Sequence, residues 1–474
     1  MGKIFILAGM MFGDEGKGSF VDYIAHEHNI RQIIRYNGGS QASHTVRTPD
    51  GLTHKFSQLG SGMFAADCKT CLTGNMVINP FNIIEEIKEF SSKTGISGDE
   101  ILERIYIEAD CYIVTPYHKL MNRLRELSKG TDRIGSVGTG VSEVRLLLRP
   151  PDPLGVQIKD LYCNDLLYKK LTDLFDHVSS YYDQNQGKIS QNIPPELRDS
   201  IDEQIRFLTQ KSSVDIVCGD YYQLVKDYRF KICDDLNMII DLEDGVIFEP
   251  AQGLLLDAVY GIKPNTTQLD TTIFNALRIV DEIDHKEYDV IKAGVAKAYS
   301  SRHGIGVFPT EDIELDSFIS DDNQEESFWN GKIRIGWFDA VLTRYAQSIN
   351  NVNELYISSI DKLDKLHTIK ICNGYSYNGV IDDEFRTMFE FEESDTGVLI
   401  RDIKNTGLRI SGYLAKCDPV YIDLNGWHED TSKIRYKNDL PHDCQKYIEK
   451  VEVLTGIPVS LISVGAARNE KVLM

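Results

Sequence analysis

Short apolar runs alternate with stretches of helical spacing through the N-terminal half of the chain. Runs rich in β-branched and aromatic residues suit strands buried on both faces, and their alternation with helices is the signature of a mostly parallel sheet. Strands are therefore expected at residues 3–8, 32–35, 69–72, 105–107, 246–248, 290–293, 354–359 and 461–463. Residues 19–26 read as a helix, and residues 81–90 as an amphipathic helix behind Pro80. Residues 161–236 differ, with few glycines, many Tyr, Leu, Lys and Asp, and apolar positions at helical spacing. They predict a helical elaboration packed on the sheet, broken near Gln184-Asn185-Gln186-Gly187 and at Pro194-Pro195. Residues 310–326 are strongly acidic and read as a mobile, solvated loop, while the acidic stretch 381–405 suggests no particular chemistry.

Composition narrows the class. At 474 residues and 42% hydrophobic content the chain has enough apolar side chains for a large core. The net charge of −21 disfavours nucleic acid and anionic membranes as partners, so an anionic substrate would have to enter a locally basic pocket. No apolar run reaches the roughly 18 residues of a membrane span, and the first residues lead directly into a glycine-rich turn with no signal-peptide pattern. A cytoplasmic location is the expectation. Nine scattered cysteines suit a reducing compartment. The lone pair Cys68 and Cys71 has no second pair to complete four zinc ligands, and both read as core or turn residues.

The chemistry begins at Met11-Phe12-Gly13-Asp14-Glu15-Gly16-Lys17-Gly18, between the first strand and the first helix. Glycines there let backbone N–H groups approach a phosphate, and the helix N-terminus adds positive potential. Lys17 is placed to reach a phosphate oxygen, and Asp14 to bind Mg²⁺ or accept a proton. The Walker spacing is absent, as is a dinucleotide GxGxxG pattern.

The same octet, followed by Arg35-Tyr36-Asn37-Gly38-Gly39-Ser40-Gln41-Ala42-Ser43-His44-Thr45, resembles the opening of the adenylosuccinate synthetase family. The resemblance continues through Ser61-Gly62, Leu72-Thr73-Gly74-Asn75, Glu249-Pro250-Ala251-Gln252-Gly253 and Lys297-Ala298-Tyr299-Ser300-Ser301-Arg302. Phe308-Pro309-Thr310-Glu311, Gly336-Trp337-Phe338-Asp339, the block around Asp361, Leu454-Thr455-Gly456-Ile457-Pro458 and Ser463-Val464-Gly465 follow in the family's order. It implies one α/β domain over residues 1–474, with a mostly parallel central sheet flanked by helices (P-loop-NTPase-like) and the helical elaboration at about 161–236. It also implies a ligase that joins IMP to L-aspartate at the expense of GTP, with Mg²⁺ as cofactor, working as a homodimer.

By that resemblance Asp14 is the base that takes the N1 proton of IMP and a ligand of Mg²⁺, His44 the acid on the transferring phosphoryl group, and Lys17 its neutralising cation. The backbone carbonyl of Ser43 is implied as a second metal ligand, and Gly13, Glu15, Gly16 and Gly18 as the nucleotide-binding turn. Gln41, Gln252 and Thr267 (or Thr266) fall at IMP-binding positions, and Asp361, with Ser463 and Gly465, at the guanine site. A carboxylate at 361 accepts from both the N1–H and the 2-amino group of guanine and so rejects adenine.

The chain also departs from the family. Ser359 stands where a guanine-site Lys is usual, and Val137 where a phosphate-binding Thr is usual, leaving Ser136 or Thr139 to substitute. The arginine offered across the dimer is Arg149 or Arg145. The arginine-dense segment that binds the dicarboxylate is here Gly331-Lys332-Ile333-Arg334-Ile335, so Lys332 and Arg334 carry that role. Two further readings follow: a related ligase acting on another purine nucleotide such as dGMP, with (d)ATP or another amine donor, and a catalytically silent nucleotide-binding protein. Asp14, Lys17 and His44 together argue against the silent protein; Asp14 favours IMP, while the missing guanine-site Lys pulls toward a changed triphosphate.

Overall fold

Nine parallel strands and one antiparallel edge strand build the main sheet of the computed structural model, which describes residues 2–151, 153–283, 288–319, 328–329, 331–395 and 397–474. The strands are β1 (Lys3–Gly9), β2 (Gln32–Arg35), β3 (Lys69–Leu72), β4 (Ile105–Glu108), β5 (Lys231–Cys233), β6 (Val246–Glu249), β7 (Asp289–Lys297), β8 (Glu354–Ser358), β9 (Val459–Ser463) and β10 (Lys471–Leu473). Their order across the sheet is β10-β9-β8-β7-β1-β6-β2-β3-β4-β5, with only β9 and β10 antiparallel. All eight expected strands lie in this sheet. Their runs are apolar because both faces are covered: every residue of β6 and every residue of β1 after Lys3 is buried.

The first helix α1 (Lys17–Glu27) follows β1 directly, and the expected amphipathic helix is α2 (Pro80–Thr94), capped by the Asn79 side chain. Helices α3 (Pro116–Lys129) and α4 (Val141–Leu147) lead into the helical elaboration. That elaboration consists of α5 (Asn164–Asn192), α6 (Arg198–Leu208) and α7 (Ser212–Asp227). The expected break at residues 184–187 does not occur. Val178 and Ile189 are buried on either side of Gly187, and that packing outweighs the roughly 1 kcal/mol helix cost of one glycine. The break at Pro194-Pro195 does occur, where the ring removes a backbone donor.

A second sheet of five strands contains Phe338–Asp339, Thr368–Tyr377, Phe389–Ser394, Gly397–Ile403 and Cys417–Asn425. The acidic stretch 381–405 thus forms largely a hairpin, whose Glu392 pairs with Arg401 across the strands. Part of the acidic run after Thr310 is also ordered otherwise than expected: Ile313–Phe318 is a helix, because Asp312 caps the N–H groups of Glu314 and Leu315. Residues 320–326 of that run lie outside the described residues. Cys68 and Cys71 are buried, and burial pushes the Cys71 thiol up to about 12. No helix among the described residues is long and apolar enough to cross a membrane.

Candidate active site

The carboxyl ends of β1, β2, β6, β7, β8 and β9 open into one cleft of about 600 Å³. In a parallel sheet this edge gathers the loops and the helix N-termini, which is why ligands bind there. Seven lysines and arginines line the cleft against five aspartates and glutamates, so a chain of net charge −21 turns a basic surface inward at this point.

The glycine-rich turn forms one wall. Gly13 and Gly16 have φ of +93° and +82°, and Gly16 caps α1 in the left-handed conformation. A Cβ on Gly18 would stand 2.7 Å from the Cβ of His44, so the glycine lets α1 pack directly beneath that histidine. One oxygen of Glu15 accepts the N–H groups of Met11 (3.1 Å) and Gly13 (2.9 Å), and the other is paired with the Lys17 ammonium. The turn is tied to β8 by Ser358, whose hydroxyl donates to the Glu15 carbonyl at 2.8 Å.

Asp14 sits in this turn with its side chain 27% exposed and its backbone in the left-handed region at a φ of +54°. Its Oδ2 lies 3.0 Å from Nε2 of His303, a residue the sequence did not single out. Burial acts to raise its pKa, but His303, Lys297 and Lys17 outweigh it and hold the carboxyl down to about 2. Asp14 is therefore ionised across the physiological range.

His44 opens the strand after the second glycine-rich turn and is buried to 8% exposure. Its Nδ1 lies 2.5 Å from Oε1 of Glu249, the last residue of β6. Glu249 also accepts the Ser61 N–H at 2.9 Å and the Ser61 hydroxyl. A carboxylate on Nδ1 fixes the tautomer and leaves Nε2 for the cleft. Burial favours a charge-free carboxyl at Glu249, yet Arg35, His44 and Ser61 hold it ionised, down to about 2. For His44, burial together with Arg35 and Lys17 outweighs Glu249 and lowers the pKa below the usual imidazole value.

Across the cleft, Asp361 begins a short turn behind Ser359, and burial pushes its carboxyl up to about 6. The loop after β9 is held by Lys471, whose ammonium donates to the Ala467 carbonyl at 2.8 Å, while Ser463 donates to the Gly465 carbonyl at 2.6 Å. Gln41 and Gln252 each carry a buried side-chain oxygen without a protein partner, which suits a bound molecule bearing N–H or O–H donors. Thr267 lies 3.4 Å from the Ser142 hydroxyl at the far end of the cleft.

Of the residues singled out in the sequence, Gly13, Asp14, Glu15, Gly16, Lys17, Gly18, Gln41, Ser43, His44, Ser136, Gln252, Thr267, Asp361, Ser463 and Gly465 line this one cleft. Arg149, Lys332 and Arg334 do not. Arg149 is exposed and donates to Gln268 at 2.5 Å, and Lys332 is exposed. Arg334 spends its guanidinium internally: two of its nitrogens grip both oxygens of Glu311, and Nη1 donates to the carbonyls of Gly304 (3.0 Å) and Gly306 (2.8 Å). Asp14 and Ser43 offer hard oxygen donors in the same cleft, which fits Mg²⁺, an ion that takes one or two protein oxygens and keeps the rest for water and phosphate.

A parallel α/β sheet whose carboxyl edge joins a glycine-rich turn, an ionised aspartate, a lysine and a carboxylate-held histidine defines a nucleotide-handling enzyme. A sequence profile of the adenylosuccinate synthetase family matches residues 6–472. An adenylosuccinate synthetase of Exiguobacterium is 31% identical over 99% of this chain and 98% of its own length, and that of Bacillus subtilis 31% over 98% and 96%. The chain belongs to the adenylosuccinate synthetase family, the carbon–nitrogen ligases of purine biosynthesis. Among solved structures, fully ligated adenylosuccinate synthetase from Plasmodium falciparum superposes with a TM-score of 0.77 at 22% identity, covering all of both chains. The succinoaminodeoxyadenylate synthetase of cyanophage S-2L, bound to dGMP and dATP, superposes at 0.54 and 12% identity, covering 99% of this chain and 95% of its own. Both share the fold.

Proposed function

We propose that this protein forms N6-succinyl-AMP from IMP, L-aspartate and GTP through 6-phosphoryl-IMP, as a cytoplasmic homodimer. The observation that supports it is the convergence of Asp14, Lys17 and His44 from two turns into one cleft that also holds Asp361. Oxide is a poor leaving group from C6 of a purine, so the oxygen must first be phosphorylated. Asp14, ionised at neutral pH, accepts the N1 proton as O6 attacks the γ-phosphorus and the bond to GDP breaks. Lys17 stands beside the transferring group, and Nε2 of His44 hydrogen-bonds its oxygen, gaining basicity as negative charge arrives. The aspartate amine then adds at C6, the C6–O bond breaks, phosphate leaves and the amine sheds a proton. Asp14 and the Ser43 carbonyl would hold Mg²⁺, which when bound neutralises charge on the phosphates. Arg149 or Arg145 would be the arginine offered across the dimer, and sedimentation analysis reads that assembly.

A second reading is a related ligase using another purine nucleotide such as dGMP, with (d)ATP or a different amine. Two observations favour it: the guanidinium of Arg334 is already taken by Glu311, and Ser359 stands at the guanine site. Phosphate release measured with IMP, GMP or dGMP against GTP or dATP, with and without aspartate, decides between them. Turnover that requires IMP, GTP and aspartate together supports the first reading, and turnover with dGMP or dATP the second. Tight nucleotide binding without turnover in any combination would leave a silent nucleotide-binding protein.

A further inference from the structure

His303 ends the strand Ser300–His303, which pairs antiparallel with Ile333–Gly336 so that His303 stands opposite Ile333. The turn that follows uses Gly304 at a φ of +67° and Gly306 at +115°, both in the left-handed region that favours glycine. Arg334, on the pairing strand, spans this turn. Its Nη1 donates to the carbonyls of Gly304 and Gly306, while Glu311 holds the rest of the guanidinium. The Gly304 N–H donates to the Lys332 carbonyl at 3.0 Å. The charge of Arg334 is thus spent on bracing the turn beside His303.

The glycine-rich turn is fixed against the same segment. Phe12, two residues before Asp14, has the Arg302 guanidinium 4.3 Å from its ring centroid and the Phe308 ring edge-on at 5.8 Å. Arg302 is itself held by the Val307 carbonyl, 2.6 Å from Nη1. Contacts on both sides of the pair therefore set the distance at which Nε2 of His303 faces Oδ2 of Asp14, 3.0 Å. An ionised carboxylate only accepts hydrogen bonds, so Nε2 is the nitrogen that carries hydrogen here. A carboxylate free to turn about its Cβ–Cγ bond presents its oxygens in any plane, whereas one gripped at Oδ2 presents Oδ1 in one. That matters for a base, because misplacing a reacting group by about 1 Å can cost about 10²-fold in rate.

We infer that His303 is a positioning residue for Asp14: it grips Oδ2 and so directs Oδ1 at the proton that Asp14 removes, without itself taking that proton. The inference rests on the proposed reading of Asp14 as the base. The N1 proton ends on Oδ1, the electron pair of the N1–H bond passes into the purine toward O6, and His303 keeps its own hydrogen throughout.

The test measures phosphate release at saturating substrates for wild type, His303→Val, His303→Asn and His303→Gln, together with calorimetric nucleotide binding and the unfolding temperature. Gln can place its amide N–H where Nε2 of His303 stands, whereas Asn reaches only the position of Nδ1. Removing a partner that orients a functional carboxylate costs about 10–100-fold, so His303→Val and His303→Asn should lower kcat by that factor. KM and nucleotide affinity should stay within about twofold, because only the chemical step uses the orientation. His303→Gln should bring kcat back to within about threefold of wild type. The unfolding temperatures should stay close to wild type, since the side chain is 27% exposed and Arg334 braces the turn independently of it. The Asn and Gln variants carry the comparison if His303→Val does not fold. An undiminished kcat in His303→Val, or equal activity of the Asn and Gln variants, overturns the inference while the proposed function stands. So does a loss of kcat that Gln does not restore and that follows the unfolding temperature. Normal turnover by Asp14→Asn overturns the reading of Asp14 and the inference with it.

Discussion

Replacing Glu249 by Gln tests the catalytic reading where the structure is most specific. The carboxylate is fully buried and satisfies three donors: Nδ1 of His44, the Ser61 N–H and the Ser61 hydroxyl. The amide keeps one acceptor oxygen and turns an N–H₂ toward the others, leaving at least one buried donor unpaired at a cost of about 1–3 kcal/mol. It also removes the negative charge facing Arg35, so the variant should unfold at a lower temperature. The larger effect falls on His44. Without the carboxylate the imidazolium is stabilised less, and its pKa, already lowered by burial, falls further. In the proposed mechanism His44 supports the transferring phosphoryl group in its protonated form, so activity should be lost as pH rises through that pKa. The alkaline limb of the kcat–pH profile should therefore move to lower pH in Glu249→Gln. Glu249 itself cannot produce that limb, being held ionised with a pKa of about 2. General-acid assistance is worth about 10²–10⁴ in rate, so kcat at pH 7.5 should drop by about 10²-fold or more, with KM for the triphosphate little changed. An alkaline limb at the wild-type position, with kcat within threefold of wild type in a variant shown to be folded, would refute the role of the pair.

Other perturbations read separate parts of the site. Asp14→Asn should abolish phosphate release while calorimetry still detects nucleotide binding, since the amide keeps the size but neither the charge nor the basicity; turnover near the wild-type rate would remove Asp14 from its role. Asp361 has its carboxyl raised to about 6 by burial, so it becomes protonated as pH falls through 6, and KM for GTP should rise there while KM for IMP does not. Asp361→Asn should narrow the preference for GTP over ATP by about 10–100-fold, the worth of the hydrogen bonds it reverses. His54 is buried against Phe56 and Phe90 with neither ring nitrogen hydrogen-bonded and Glu89 no nearer than 3.9 Å, and burial lowers its pKa to about 4. A depressed histidine binds its proton only after unfolding, so stability should fall by up to about 3 kcal/mol between pH 6.5 and 4. Chemical denaturation of His54→Leu should show a flatter dependence over that interval.

The central sheet was legible because strands covered on both faces are written as near-continuous apolar runs, and the turns that follow them carry the glycines and charges. The helix through Gly187 was not, because its support comes from buried neighbours and not from the local residues. Nor was the short helix Ile313–Phe318, whose cap at Asp312 was lost among other acidic residues. Within the cleft, the residues of each turn could be found from their spacing, but their partners could not. Glu249 lies 205 positions from His44, and no pattern in one sequence signals which carboxylate a histidine meets across such a distance. His303 directly follows the Lys297–Arg302 motif, yet only the folded chain brings it to Asp14. Arg334 was chosen for its charge, and the structure shows that charge already engaged by Glu311.

Backbone conformation carries the same lesson one step further. Among the described residues, seven other than glycine have positive φ, and three of them, Asp14, Gln252 and Ser359, line the cleft on the turns after β1, β6 and β8. Glycine would relieve each of these positions, so a side chain retained there opposes local preference. At Asp14 the left-handed turn carries the carboxylate into the cleft beside Lys17. At Gln252 it accompanies a side-chain oxygen left without a protein partner. At Ser359 it starts the short turn that presents Asp361. Strain of this kind persists only where the surroundings enforce it, and here the enforcing contacts include Ser358 on the Glu15 carbonyl and Glu15 on the N–H groups of Met11 and Gly13. Ser359→Gly should accordingly hold or raise the unfolding temperature while weakening binding of the triphosphate, because a freer turn fixes Asp361 less well. Equal losses of stability and affinity would mean instead that the Ser359 side chain is itself part of the support.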